Sequence, residues 1–110
     1  MNTPDFWVVI KINNEFYKVF ATWIGGYSDG DAWKVNSGIS KVTEDEGNYY
    51  FHGKSGSVYK CSKKGYKVGT SYTGGVLYSM IEQAKERDVD VQIMPSDTDW
   101  LNLLTTTVNE

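Results

Sequence analysis

The chain has 110 residues, 40% of them hydrophobic and 15% aromatic, and a formal charge of −3. That is enough apolar material for one domain, 1–110, with a core of its own, and it excludes a disordered acidic chain. The acids are dispersed, so a whole-protein basic field for nucleic acid is absent.

The opening residues, MNTPDFWVVI, hold neither a basic n-region nor a long apolar run, and no signal peptide is expected. Within FWVVIKI, residues 6–12, Phe6, Val8, Ile10 and Ile12 alternate onto one face of a strand. NNE then supplies a turn, because Asn tolerates left-handed backbone. FYKVFATW follows as a second strand with Tyr17, Val19, Ala21 and Trp23 on one side, closing a hairpin.

Past a glycine-rich stretch, residues 39–61 read as a meander with strands near 39–44, 48–53 and 57–61. EDEG and GKSG form its turns, and a short strand is expected near 66–69. Val76, Leu77, Met80, Ile81 and Ala84 recur with period 3.6 and define one amphipathic helix, about 75–87, with Thr73 as its N-cap. VDVQIMP, ended by Pro95, is an alternating strand, and SDTDWLNLL a helical turn that packs Trp100, Leu101 and Leu104 back. The expected fold is α+β: a mostly antiparallel sheet of five or six strands with the helix packed on it.

No stretch carries a complete catalytic signature. Cys61 and His52 could form a thiolate–imidazole pair, but pairing across the 53–56 turn is expected to put 52 near 57 and 48 near 61, so the two are not opposite each other, and a strand cysteine is more often a small buried hydrophobe. One cysteine allows no internal disulfide, which favours a reducing cytoplasmic compartment, and with one histidine it leaves zinc without ligands. Asp29 and Asp31 in SDGD have the spacing that opens a calcium loop, but Ala32, Trp33 and Lys34 follow where oxygen ligands should stand. No metal or cofactor is expected.

GTSYTGGV, residues 69–76, is glycine-rich and leads into the helix. Thr73, Gly74 and Gly75 are therefore candidate anion-binding residues at a helix N-terminus, although the Walker pattern is incomplete. Lys60, Lys63, Lys64 and Lys67 surround Tyr66 as a small basic patch, but lysines at hairpin tips are usually solvated. With a single arginine, Arg87, nucleic acid is not the expected partner.

The stretch ATWIGGYSDGDAWKVNSGI, residues 21–39, is read as a connection without secondary structure of its own, the kind of long loop that often carries function. Its aromatics either cap the sheet from inside or serve as interface anchors, since Trp and Tyr bury large areas with few rotatable bonds. Tyr27, Asp29, Asp31 and Trp33 are the candidate partner-binding residues, the aspartates forming an acidic rim for a basic partner. Tyr49, Tyr66 and Tyr72 could extend the surface, and an unpaired sheet edge could support a homodimer.

The run YKVFATWIGGYSDGDAWKVNSGI, with FHGKSGSVYKC, KKGY and MPSDTDW, resembles small accessory proteins of bacteriophages and prophages. The resemblance implies a protein of the host cytoplasm that binds and alters a host protein or complex, including anti-defence inhibitors, and it assigns no functional residue. The expected function is thus a small non-enzymatic binding protein; the alternative is a small-ligand or anion-binding domain using residues 69–75.

Overall fold

A computed structural model describes residues 1–25 and 31–104. Among them the chain forms β1 (Phe6–Ile12), β2 (Phe16–Trp23), β3 (Ala32–Val35), β4 (Ile39–Glu44), β5 (Asn48–Gly53), β6 (Val58–Ser62), α1 (Ser71–Glu86) and β7 (Val91–Ile93), then a 3₁₀ turn at Trp100–Asn102. The fold is α+β, as the sequence predicts, but the strands divide into two antiparallel sheets, one ordered β3-β2-β1-β7 and the other β4-β5-β6.

The predicted hairpin is present, with Phe6 opposite Thr22 and Ile12 opposite Phe16. Asn13 and Asn14 both take positive φ, 52° and 58°, and the Glu15 amide closes on the Ile12 carbonyl at 2.9 Å. Two consecutive left-handed residues give the primed turn whose twist matches the strands it joins. Asn13 also ties the turn to the end of β7: its amide donates to the Asp90 carbonyl and its Oδ1 accepts from the Asp90 amide, both at 2.8 Å.

Strand β1 is central, and Trp7, Val8, Val9 and Ile10 are buried in succession. Val8 and Ile10, with Phe20 of β2, pack against Leu77 of the helix. Trp7 and Val9, with Val19 and Ala21, face the other way onto Ile39, Phe51, Tyr59 and Cys61 of the second sheet. The molecule therefore has three layers, helix, four-stranded sheet and three-stranded sheet, with one core on each side of the middle layer. A strand covered on both faces is apolar at successive residues rather than at alternate ones, and for that reason the inward set includes Trp7 and Val9 as well as Val8 and Ile10.

Trp100 closes the inter-sheet core. Its ring centroid lies 5.5 Å from Trp7, 5.2 Å from Tyr66 and 6.1 Å from Phe51. Leu101 and Leu104, expected to pack back with it, are exposed instead. Tyr66 forms only an isolated bridge to Trp7, not the short strand expected there. Its hydroxyl donates to the Met94 carbonyl at 2.5 Å and accepts from the Val9 amide at 3.2 Å, and burial pushes its pKa up to about 12. Cross-strand bonding of this kind uses every polar atom the tyrosine brings into the core.

Candidate partner-binding surface

The stretch 21–39 is not structureless. Ala32–Val35 adds to β2 as β3, with Thr22 opposite Trp33 and Phe20 opposite Val35. Residues opposed across a ladder share a face, so Trp33 stands on the helix-bearing side of the sheet. It lies flat on Phe20, with centroids 5.8 Å apart and planes 12° off parallel. Phe20 is fully buried, while Trp33 is 40% exposed. The cover given by the helix layer thus ends between β2 and β3, and Trp33 forms the rim of that core.

Asp31 accepts from the Gly25 amide at 3.2 Å, which holds the base of the connection together. The other two predicted contact residues, Tyr27 and Asp29, lie outside the described residues. Trp23 is half-buried: it packs against the inter-sheet core, and its Nε1 donates to the Thr3 carbonyl at 3.1 Å. Ile24 beside it is exposed.

The helix begins one turn earlier than its apolar periodicity suggests. The N-cap is Thr70, not Thr73, and Thr73 occupies the third helical position. Thr70 Oγ1 accepts from the Thr73 amide at 3.3 Å, and Thr73 Oγ1 accepts from the Thr70 amide at 2.9 Å. This reciprocal capping box leaves Thr73 fully buried, with its amide and hydroxyl engaged inside the protein. Of the three candidate anion-binding residues, Thr73 and Gly74 are buried and Gly75 is exposed. The cap rests on β2: a Cβ at Gly69, whose φ is +109°, would fall 2.7 Å from both Thr22 Oγ1 and Thr73 Oγ1.

Since Thr22 supports the cap and faces Trp33 across the ladder, Trp33 stands beside the first turns of the helix. Two features there escape periodicity analysis. Tyr72 and Tyr78 are each 58% exposed. A shallow groove of about 560 Å³ runs along the helix past Tyr72, Val76, Ser79, Met80 and Gln83. Val76 and Met80 are only half-buried against the helix-side core, as is Val35. The signal in the sequence was Tyr72 at i−4 from Val76, a position that widens the apolar stripe on one flank.

Cys61 and His52 do not form a pair. Cys61 lies opposite Tyr49, and His52 opposite Val58, one residue from the predicted register. Cys61 is fully buried between the sheets, where desolvation pushes its thiol well above the ordinary range and away from the nucleophilic thiolate. His52 lies on the opposite face of the same sheet, 3.3 Å from Thr43 Oγ1. Among the described residues, no three His, Cys, Asp or Glu side chains converge to hold a metal.

The predicted basic patch is dispersed. Tyr66 and Tyr49 pack inward against Trp7, Lys63 pairs with Glu44 at 2.9 Å while lying over the Tyr49 ring, and Lys67 lies over Phe6. No helix among the described residues is long and apolar enough to cross a membrane. No protein family, curated protein or solved structure matches the chain.

Proposed function

We propose that this is a non-enzymatic binding protein that acts by occupying a surface of a host macromolecule, a protein or protein complex in the bacterial cytoplasm, as a phage accessory or anti-defence inhibitor would. The observation that carries the reading is Trp33, a tryptophan held flat at a sheet edge with 40% of its surface exposed. A rigid, partly exposed aromatic on the same side of the sheet as a mostly apolar helix groove supplies the kind of anchor that dominates interface energetics. Tyr72, one of the tyrosines expected to extend the surface, would be joined by Val76 and Met80, and Asp31 adds its charge at the rim. Inhibition then needs no chemistry, only occupancy of a surface that a substrate or subunit would otherwise use.

Affinity capture from bacterial lysate tests this, with the wild type, Trp33→Ala and Tyr72→Ala compared side by side and each first shown to be folded by circular dichroism. A protein retained in stoichiometric amount by the wild type and lost by both folded variants supports the reading. An empty wild-type lane, or a species retained equally by all three, overturns it.

A further inference from the structure

The second sheet shows one face to the core and the other to solvent. Val42, Phe51, Tyr59 and Cys61 point inward, so the intervening residues Lys41, Thr43, Tyr50, His52 and Lys60 stand on the outer face. The register arranges them in rows: Lys41 beside His52, and Thr43 and Lys60 on either side of Tyr50. Tyr50 and His52 are alternate residues of the central strand, so their rings are about 6.8 Å apart along it, flanked by an ammonium group in each row.

Of the lysines in residues 39–70, Lys41 and Lys60 stand on the outer face, whereas Lys63 pairs with Glu44 and Lys54 and Lys67 lie over Phe16 and Phe6. Residues 39–70 hold six lysines against three carboxylates, whereas residues 71–110 hold seven carboxylates against two basic residues. The overall charge of −3 therefore conceals a polarity between the segment that builds the second sheet and the one that builds the helix and C-terminal region. Asp45, the carboxylate bound to this face, accepts from the Tyr50 hydroxyl at 2.6 Å, which fixes the ring's edge and leaves its plane as the contact.

We infer that the outer face of β4-β5-β6 binds single-stranded nucleic acid, with bases stacking on Tyr50 and His52 and phosphates meeting Lys41 and Lys60. A sheet that presents aromatic rings between cations is a general solution for unpaired bases, because every base has a π-face to stack and every nucleotide a charge to neutralise. Duplex DNA hides those faces and does not fit. The surface is the uncovered side of the meander and shares only Lys60 with the Lys–Tyr66 patch, whose lysines are expected from the sequence to be solvated and for which nucleic acid is not the expected partner. This surface lies on the far side of the molecule from Trp33, and its occupancy is independent of the partner reading above.

The test is fluorescence anisotropy of a labelled oligothymidylate of about 12 nucleotides, a length within the usual site size of such surfaces. Wild type should bind it in preference to a duplex of equal length and to inorganic polyphosphate. Affinity should fall steeply between about 50 and about 200 mM salt, and the log–log slope should shrink by about 0.7 for each lysine removed. Lys41→Glu with Lys60→Glu should abolish binding, and His52→Ala and Tyr50→Ala should each weaken it at least about fivefold, the lower end of what loss of one stacked base costs. Tyr50→Phe, which keeps the ring, should bind nearly as the wild type does, and this separates stacking from any loss of fold in Tyr50→Ala. No binding at low salt overturns the proposal. So does equal binding of duplex or polyphosphate, or indifference to His52 and to both lysines.

Discussion

Two tryptophans in this chain should respond very differently to the same truncation. Trp100 is 3% exposed and is enclosed by Trp7, Phe51 and Tyr66 with centroids within 6.1 Å. Its removal leaves a cavity between two sheets whose backbones are fixed by their ladders, so Trp100→Ala should cost about 3–5 kcal/mol. Trp33 keeps 40% of its surface in water and packs by one face, on Phe20. Of the roughly 150–250 Å² that a tryptophan can bury, about 60% is withdrawn from solvent here, worth about 2–4 kcal/mol at about 25 cal/mol per Å². That figure is an upper bound because the unfolded chain already hides some of this area, and the open side lets water fill the space. At about 4 °C per kcal/mol for a domain of this size, Trp100→Ala should lower Tm by about 12–20 °C and Trp33→Ala by less, its upper bound being about 16 °C. Calorimetry of both variants, with urea titration for ΔG, decides the matter. If Trp100→Ala costs less than about 1 kcal/mol, or if Trp33→Ala costs more than Trp100→Ala, the three-layer core described above is wrong.

Two glycines near the helix entry should respond in opposite directions to alanine. Gly69→Ala must adopt a φ of +109° and place its Cβ 2.7 Å from two threonine hydroxyls, a loss of more than about 2 kcal/mol by urea denaturation. Gly75→Ala meets nothing within 4 Å and sits inside the helix, so it should add about 0.5–1 kcal/mol. The Asp45 carboxyl is held below its usual pKa, first by the Tyr50 hydroxyl and then by the Gly47 and Asn48 amides, against some desolvation. A depressed folded pKa gives stability that is present above the unfolded value, about 4, and lost as pH falls through the folded one. Tyr50→Phe should therefore narrow its Tm difference from the wild type as pH drops below about 4, and a difference constant from pH 7 to pH 2 would show that the hydroxyl does not stabilise the ionised carboxylate.

Local signals made the hairpin, the helix and the three strands of the meander legible. NNE between two apolar runs marked the turn that Asn13 and Asn14 make with positive φ, and the 3.6-residue stripe through Leu77 and Ala84 marked the helix. What was not legible was which face met which partner. Alternation assigns residues to a side but not the number of layers, and a single sheet under one helix satisfied every pattern except one. That exception was FWVVI, apolar without a break, which is the mark of a strand buried on both sides. β3 escaped for a different reason: AWKV is short and sits between Asp31 and Asn36 in a glycine-rich stretch, so only its pairing with β2 makes it a strand. At the candidate site, Trp33 was found by residue type alone. The helix entry that carries Tyr72 lies on the same side of the sheet only because Gly69 packs against Thr22, a tertiary contact with no sequence period.

The two candidate surfaces follow from where the layering stops. A four-stranded sheet covered by a helix on one side and a smaller sheet on the other has few places where side chains of its own face reach solvent. The helix starts over Thr22 and ends against the Val89–Val91 segment, where the Val89 amide bonds the Ala84 carbonyl at 2.9 Å. Its cover therefore ends short of β3, the last strand on the other side, and leaves Trp33 at the margin. The three-stranded sheet, for its part, carries no further layer above Tyr50 and His52 among the described residues, and Lys41 and Thr43 beside them are exposed. A chain under selection only for stability would place small or charged residues at both margins, as edge strands and outer faces usually do. This one keeps a tryptophan at the first and a tyrosine–histidine pair between lysines at the second. Rings left partly in water contribute less to folding than they would in a core, so truncating them at either margin is where loss of a proposed contact can be read apart from loss of fold.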